Sequence, residues 1–322
     1  MRVLVIAGGV SHERDVSLSS AARVVDALKS ADAEARTVEP GEQLLRYLEP
    51  AAAENQAADS WQPDVVWPLA HGAIGEDGGL QDLLSGSGIP FVGSSSEGAR
   101  LAWDKSVAKA LVARHGLLTP DSAVLSRELI KQIGSDGAIK QVLTRLGDRV
   151  VVKPVAGGSA QGLTVLPAVS ELGEALAHGF SYSDRVLVER HVDGTELAIS
   201  ILDLGFGARA LPPVEISTAS RQFGFLERYV PGESQFYVPA RLSLAAIGRA
   251  QDAALRAHSA LRLSQISRID LIVDSEGTPW FLEANVVPGM TETSLLPQAV
   301  IADGERLSET YLEICRSAIR HS

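Results

Sequence analysis

The stretch RIDLIVDSEGTPWFLEANVVPGMTETS, residues 268–294, has the pattern of a β-hairpin with charged side chains on one face. Side chains at alternate positions of a strand point to the same side. Arg268 and Asp270 are therefore expected to share one face of the first strand. Asp274 and the Ser-Glu-Gly that follows it supply the turn residues between the two strands.

Phe281, Glu283 and Asn285 have the same parity on the second strand, and we expect them to share a face. If the hairpin pairs symmetrically about Glu276 and Gly277, Asp270 lies opposite Glu283. The same register places the Arg268 guanidinium opposite the Asn285 amide.

Two carboxylates and an amide oxygen on one small area of a sheet repel unless a positive charge lies between them. Hard divalent cations accept such oxygen ligands, and Mg²⁺ usually shares its coordination shell with substrate phosphates. The hairpin therefore predicts a magnesium site made by Asp270, Glu283 and Asn285. The alternative is an exposed strand whose charges are only solvated.

Composition limits the classes of protein to consider. The chain has 322 residues, which predicts two or three domains, and 45% hydrophobic with 21% charged residues is typical of a globular protein. The net charge of −11 argues against nucleic acid or an anionic membrane as partner. No apolar run reaches membrane-spanning length, the N-terminus lacks a signal-peptide pattern, and the expected compartment is the cytoplasm. The single cysteine, Cys315, excludes an internal disulfide.

The first part of the chain alternates strand and helix patterns, which predicts an open α/β layer of parallel strands over residues 1–96. The expected strands are 2–7, 36–38, 65–69 and 89–92, and the expected helices are 19–28 and one beginning at 80. A smaller α+β unit is predicted over 97–183, with helices 97–115, 136–146 and 169–178 and strands 149–154 and 163–166.

Residues 184–322 form a predicted third domain that is rich in strands. Strands are expected at 186–192, 196–203 and 210–216 before the charged hairpin, with helices at 244–261 and 304–319. The polar segment 217–237 between them has no regular pattern, and long loops of this kind commonly act as lids over functional sites. The fold class is thus α/β, with three α/β or α+β domains.

A glycine-rich loop is a second candidate for chemistry. It begins at Lys153 and reads KPVAGGSAQG between two expected strands. Glycines allow the backbone to approach an anion, and successive N–H groups can hold phosphate, with Lys153 adding a charge. The spacing is not that of a P-loop, and a flexible hairpin is an equally good interpretation of the loop alone. Lys105 is a second candidate phosphate contact, and the strand pair 186–203 offers a backbone edge for adenine.

Taken together, these motifs resemble the D-alanine–D-alanine ligases of the ATP-grasp superfamily. The segments GGVSHERDVS, HGAIGEDG, WDK, KPVAGGSAQG and EANVVPGMTETSLLP occur in the family's order and near its spacing, over almost the whole chain. The resemblance implies an ATP-grasp fold with an N-terminal preATP-grasp domain. It also implies two Mg²⁺ ions, for which Mn²⁺ can substitute, held by Asp270, Glu283 and Asn285.

The resemblance further assigns roles around the nucleotide. Its phosphates would contact Lys105, Lys153 and Arg228, adenine would meet Glu189 and Val192, and the ribose would meet Glu196. The first D-alanine would bind Glu13 through its ammonium group and lie near His71. Ser159 and Tyr229 would hydrogen-bond with Glu13 and close the lid, Arg268 and the Gly289 N–H would stabilise the transition state, and Ser294 with Leu295 would hold the second D-alanine.

Singly, several of these residues have plainer interpretations. Glu13 and Ser294 could cap helices, His71 could bond only to backbone, and Tyr229 could be a half-buried loop aromatic. The chain also departs from the family pattern, with arginine for lysine at Arg228, Ala160 for a second serine, Gly157 for an acid, and Phe223 and Phe225 for tyrosines.

The function implied is ATP-dependent joining of two D-alanines through an acyl phosphate, for peptidoglycan precursors, by a homodimer. Two alternatives stay open from the sequence. One is a related ligase that takes D-lactate or another amino acid as second substrate. The other is a nucleotide-binding protein without catalysis, which the presence of the metal acids, both lysines and Glu13 argues against.

Overall fold

The computed structural model describes residues 1–49, 61–166, 171–218 and 234–320. Within these ranges the strands form three sheets. The described helices are α1 (Arg14–Ser30), α2 (Glu42–Leu48), α3 (Ala73–Glu76), α4 (Gly79–Ser87), α5 (Ser96–Trp103), α6 (Lys105–Arg114), α7 (Arg127–Ile133), α8 (Ser135–Leu146), α9 (Leu172–Phe180), α10 (Leu244–Ala260), α11 (Leu295–Ala302) and α12 (Leu307–Arg320).

The first sheet consists of β1 (Arg2–Ile6), β2 (Glu34–Val38) and β3 (Val65–Pro68), in the order β2-β1-β3 with every pair parallel. β1 is apolar along its length because both of its faces are covered. Val3 and Val5 pack in the large core that includes residues of α1, whereas Leu4 and Ile6 pack with residues of α2 and α4. The predicted open parallel layer is confirmed.

The prediction of a full fourth strand at residues 89–92 is wrong. Phe91 forms only an isolated parallel bridge with Val66 beside β3. The Val66 N–H donates to the Pro90 carbonyl and the Val92 N–H donates to the Val66 carbonyl, each at 2.8 Å. Proline has no N–H to donate, so Pro90 stops the ladder from extending.

The second sheet has the order β4-β7-β5-β6 and is antiparallel throughout. Its strands are β4 (Ser122–Ser126), β5 (Val150–Pro154), β6 (Thr164–Leu166) and β7 (Arg185–Arg190). Helices α8 and α9 bury their apolar sides against it, with Val142, Leu176 and Val152 in the shared core. β4 and α7 were not expected from the sequence pattern.

The third sheet has the order β11-β10-β8-β12-β13, and β9 pairs with β8. Its strands are β8 (Thr195–Leu202), β9 (Arg209–Ala210), β10 (Val214–Thr218), β11 (Ser234–Tyr237), β12 (Ile266–Val273) and β13 (Pro279–Asn285). The strand expected at 210–216 is divided into β9 and β10 by two prolines, Pro212 and Pro213, which cannot donate to a ladder. Helix α10 packs its alanine-rich side on this sheet.

The segment 217–237 is not a loop at its ends. Ser217 and Thr218 belong to β10 and pair with Gln235 and Ser234 of β11, so the expectation of a structureless segment is wrong there. Residues 219–233 lie outside the described residues. The lid therefore stays a prediction.

The helix expected over 97–115 is two helices, α5 and α6, separated at Asp104. The Asp104 carboxylate accepts hydrogen bonds from the N–H groups of Ser106 and Val107, both at 3.0 Å, and so caps α6. Both helices pack on β13. β7 joins the second sheet, whereas β8 joins the third. The domain limits 1–96, 97–183 and 184–322 stay a prediction.

Candidate active site

The charged hairpin is formed by β12 and β13 in the expected register. Asp270 lies opposite Glu283 and Arg268 lies opposite Asn285, which confirms that prediction. A β-bulge follows Asp270, because its neighbour Leu271 pairs with residue 281 rather than 282.

That bulge corrects the prediction for Phe281. Phe281 is 1% exposed and packs with Ala284 in the core, on the face opposite the acids. Alternation placed it with Glu283 and Asn285, but an extra residue on one strand reverses the parity beyond it. Leu282 lines the cleft beside Glu283 instead.

Arg268 and Asp270 form a buried two-point ion pair. The Arg268 Nε and one terminal nitrogen each lie 2.8 Å from a different oxygen of Asp270. The Asn285 Nδ2 donates to Asp270 Oδ2 at 3.2 Å. A two-point contact of this kind fixes the guanidinium in one orientation.

Lys105 connects the hairpin with the glycine-rich loop. Its Nζ donates to the Gly157 carbonyl at 2.6 Å and lies 3.3 Å from Glu283 Oε2. Its own backbone N–H donates to the Val155 carbonyl at 2.9 Å, which anchors the start of α6 at the loop. The side chain thus reaches the place where a phosphate between loop and hairpin would be held.

Glu189 binds two lysines, Lys153 and Lys109, one through each carboxylate oxygen. Glu189 Oε1 lies 2.6 Å from Lys153 Nζ and Glu189 Oε2 lies 2.5 Å from Lys109 Nζ. Burial raises the pKa of Glu189, but Lys153 and Lys109 outweigh burial and hold that pKa below its ordinary value. Burial lowers the pKa of Lys153, but Glu189 and then Glu283 leave it raised.

Lys109 was not predicted from the sequence as a functional residue. The available signal was its spacing of four residues from Lys105, which places both side chains on one side of α6.

A cleft lies between the second and third sheets. Five residues predicted to bind ATP line it, together with Asp270 and Glu283 from the hairpin: Lys105, Lys153, Glu189, Val192 and Glu196.

The glycine-rich loop has a constrained backbone. Ser159 and Ala160 are both left-handed, with φ of 51° and 54°. A residue with a side chain pays about 1–2 kcal/mol in this region, so surrounding contacts must hold the loop in place. One such contact is the Ser159 hydroxyl, which donates to Glu13 Oε1.

A second cavity brings together the residues predicted to bind the two amino acids. It is lined by Glu13, His71, Ser159, Arg268, Gly289, Ser294 and Leu295, together with Glu76, Gly158 and Asn285. Gly158 lines both cavities, so the glycine-rich loop is the wall between them.

Two buried titratable groups of this cavity have pKa values shifted in the direction that favours their neutral forms. Burial, and then Arg268, lowers the pKa of His71 to about 4, and its Nε2 has no hydrogen-bond partner among the described residues. Burial, and then Glu13, raises the pKa of Glu76 to about 8. The Glu76 carboxyl accepts a hydrogen bond from the Gly72 N–H at 2.8 Å.

Glu76 was also not predicted from the sequence as a functional residue. It lies in the quoted segment HGAIGEDG, and nothing in the pattern separates it from the neighbouring acid Asp77. Its burial is visible only in the fold.

Ser294 is the N-cap residue immediately before α11, but its side chain makes no capping bond. Its Oγ accepts from the Thr291 N–H at 2.9 Å and pairs with the Thr291 hydroxyl at 2.8 Å. A Cβ on Gly289 would lie 2.7 Å from this Oγ, so a side chain there would force the hydroxyl to move. The plain helix-cap interpretation of Ser294 is therefore wrong, and the hydroxyl faces the cavity.

The lid residues Arg228 and Tyr229, with Phe223 and Phe225, lie outside the described residues. Their roles stay predictions.

The hairpin suits a magnesium ion in its chemistry. Among the described residues no three acids, histidines or cysteines converge, so the protein would offer two carboxylates and the Asn285 carbonyl oxygen. An all-oxygen set with few protein ligands is what Mg²⁺ takes when phosphates and water complete its shell. Arg268 and Lys105 balance the two carboxylates in the structure described here.

The fold and the paired cavities define the class of protein. The fold is the ATP-grasp fold, seen in a D-alanine–D-alanine ligase from Bacillus anthracis complexed with ATP, which covers 100% of this chain and 98% of its own with a TM-score of 0.79 at 28% identity. A VanG D-Ala:D-Ser ligase from Enterococcus faecalis has a TM-score of 0.83 at 27% identity, covering 98% of this chain and 99% of its own.

The model of the family described as "D-ala D-ala ligase C-terminus" matches residues 111–314. A D-alanine–D-alanine ligase of Bordetella petrii is 36% identical over 318 residues, 99% of this chain and 91% of its own. A D-alanine–D-alanine ligase of Gloeobacter violaceus is 39% identical over 306 residues, which are 94% of this chain and 95% of its own. The chain belongs to the D-alanine–D-alanine ligase family, and membership implies the use of ATP. Within the described part of the chain, no helix combines the length and apolar character needed to cross a bilayer.

Proposed function

We propose that this protein joins two D-alanines into D-alanyl-D-alanine, using ATP to activate the first carboxylate. One observation carries the proposal: the cleft with the lysines and the cavity with Glu13 and Ser294 share a wall at Gly158, and the charged hairpin lines both. Asp270 and Glu283 line the cleft, whereas Arg268 and Asn285 line the cavity. A phosphate in the cleft and a carboxylate in the cavity could therefore meet at the hairpin.

In the first step, Glu13 would hold the ammonium group of the first D-alanine, with neutral His71 near its carboxylate. That carboxylate attacks the γ-phosphate of ATP, and the bond from the γ-phosphorus to the bridging oxygen of ADP breaks. Lys105 and Lys153 lower the repulsion between the two anions. The products are an acyl phosphate and ADP.

Asp270, Glu283 and Asn285 would hold Mg²⁺ or Mn²⁺, two ions by the family resemblance. When bound, such ions neutralise phosphate charge and orient the phosphates. Asp270 holds the Arg268 guanidinium in one orientation, and Arg268 lines the cavity.

In the second step, the amine of the second D-alanine attacks the acyl carbon, with Ser294 holding its carboxylate beside Leu295. The oxyanion that forms would accept hydrogen bonds from Arg268 and the Gly289 N–H. Phosphate then leaves as the amide forms, and the amine loses a proton. A lid over 217–237, carrying Arg228 and Tyr229, would exclude water from the acyl phosphate.

A ligase that takes D-serine or D-lactate as second substrate is the second candidate. It is favoured by the likeness in fold to the D-Ala:D-Ser ligase, which is as high as that to the D-alanine–D-alanine ligase. Peptidoglycan synthesis, a homodimer and a cytoplasmic location are parts of the same proposal.

The deciding experiment measures phosphate release and the mass of the products from ATP and Mg²⁺ with D-alanine alone, then with D-serine or D-lactate in competition. The dipeptide of D-alanine as main product supports the proposal. A mixed product in excess favours the second candidate, and no release with any of them contradicts both.

A further inference from the structure

A buried ion triad lies behind the nucleotide cleft. Glu189 shares its carboxylate between two ammonium groups, Lys153 at 2.6 Å and Lys109 at 2.5 Å. The exposed fractions of the three side chains are 7% for Lys153, 3% for Lys109 and 4% for Glu189. Such distances and burial describe charge-assisted hydrogen bonds shielded from water.

Lys109 has a different position from its partner lysine. Lys153 lines the cleft, whereas Lys109 does not and reaches the triad from α6, on the far side of Glu189. Asp121 is a further acid that acts on Lys109 through space, and Glu283 and Glu196 act on Lys153. Lys109 could not touch a nucleotide in the cleft, so an effect on binding would have to pass through Glu189.

The charges of the triad do not cancel. Two ammonium groups and one carboxylate leave a net charge of +1. If Lys153 were the sole partner of Glu189, the pair would be neutral and would attract phosphate weakly. With Lys109 on the second oxygen, part of the carboxylate charge is directed away from the cleft.

We infer that Lys109 is a positioning residue for the nucleotide phosphates: it binds the second oxygen of Glu189 and so leaves the charge of Lys153 available to ATP. This rests on the proposed function, because it requires ATP to bind in the cleft. The ligand recognised is a nucleoside di- or triphosphate. Lys109 contributes to the binding of its phosphates rather than of its base.

The test compares the affinities of ADP and adenosine, measured by calorimetry with the full chain. Lys109→Met makes the triad neutral, and we expect ADP to bind about tenfold more weakly while adenosine changes less than about twofold. Glu189→Gln raises the net charge, and its ratio of ADP to adenosine affinity should be at least that of the unchanged protein. The double variant restores the net charge of +1, and its ratio should exceed that of Lys109→Met.

Lys140→Met is the control, since Lys140 is an exposed lysine of α8. Its affinities should match those of the unchanged protein. A purely structural role for Lys109 predicts that Lys109→Met weakens both ligands equally and that adding Glu189→Gln weakens them further. Either result, or an unchanged ADP affinity in Lys109→Met, overturns the inference. Should Lys109→Met fail to fold, a lower ratio in Glu189→Gln than in the unchanged protein overturns it. Absence of ADP binding in the unchanged protein contradicts the proposed function itself.

Discussion

Ser159 and Glu13, which are 146 residues apart in the chain, are joined by a hydrogen bond from the serine hydroxyl to a carboxylate oxygen. The bond ties the glycine-rich loop of the second sheet to the start of α1 in the first unit. Both side chains are buried. The position of the acid that would receive the substrate ammonium is thus linked to the loop that would cover the phosphates.

Removing this hydroxyl should impair the reaction more than the fold. For Ser159→Ala we expect kcat/KM for D-alanine to fall about 10- to 100-fold, because a hydrogen bond to a buried charged group is lost. The melting temperature should change little. Steady-state phosphate release measures the effect, with the exposed Ser181→Ala as the matched control. An unchanged kcat/KM would show that the loop does not need this bond.

The metal assignment predicts a sharp difference between two acids of one hairpin. Glu283→Ala should lower phosphate release by more than about 100-fold, because a cation ligand in the cleft is lost. Glu276→Ala, in the exposed turn, should leave the rate unchanged. Chelation of divalent cations should abolish turnover in the unchanged protein, and added Mg²⁺ should restore it. Near-normal turnover in Glu283→Ala would remove the metal assignment.

Glu76 predicts a pH dependence of stability. Its pKa of about 8 in the fold exceeds its ordinary value, because it is buried and then because Glu13 is near. Between these two values the folded state keeps a proton that the unfolded state has released, so the free energy of unfolding falls as pH rises, by up to about 1.4 kcal/mol per pH unit. The pKa of His71 is lowered to about 4, so between that value and its ordinary 6.5 the unfolded state binds more protons than the fold. His71 therefore makes the free energy of unfolding rise with pH, but only below pH 6.5.

The window that isolates Glu76 therefore runs from pH 6.5 to 8. Urea unfolding across it should give a declining free energy in the unchanged protein and a flatter one in Glu76→Gln. Equal slopes in the two proteins would mean that Glu76 is ionised in the fold throughout this range.

Replacing Gly75, in the turn after His71, by alanine should cause a large loss of stability. A Cβ on Gly75 would lie 1.6 Å from the Ala70 carbonyl oxygen, so the backbone would have to move. Gly75→Ala should lower the free energy of unfolding by more than about 3 kcal/mol. Gly86→Ala, at an open position in α4, should leave it equal or raise it by up to about 1 kcal/mol. Denaturant unfolding measures both, and a mild effect of Gly75→Ala would contradict this packing.

Local pattern was sufficient where neighbours in sequence are also neighbours in the fold. Asp270 meets Glu283 because alternation and one turn bring them together. The same reasoning failed for Phe281, since a bulge is not encoded in alternation, and for residues 89–92, where the effect of Pro90 depends on how β3 approaches it.

The sequence by itself determined the α/β class, the charged hairpin, the glycine-rich loop and, by resemblance, the family. Those features depend on periodicity, turn residues and motif order, which are properties of short segments. Only the tertiary structure decided that Lys109 shares Glu189 with Lys153 and that Glu76 is buried beside Glu13. Charge and burial at those positions come from partners far along the chain, and a pattern of neighbouring residues carries no information about such distances.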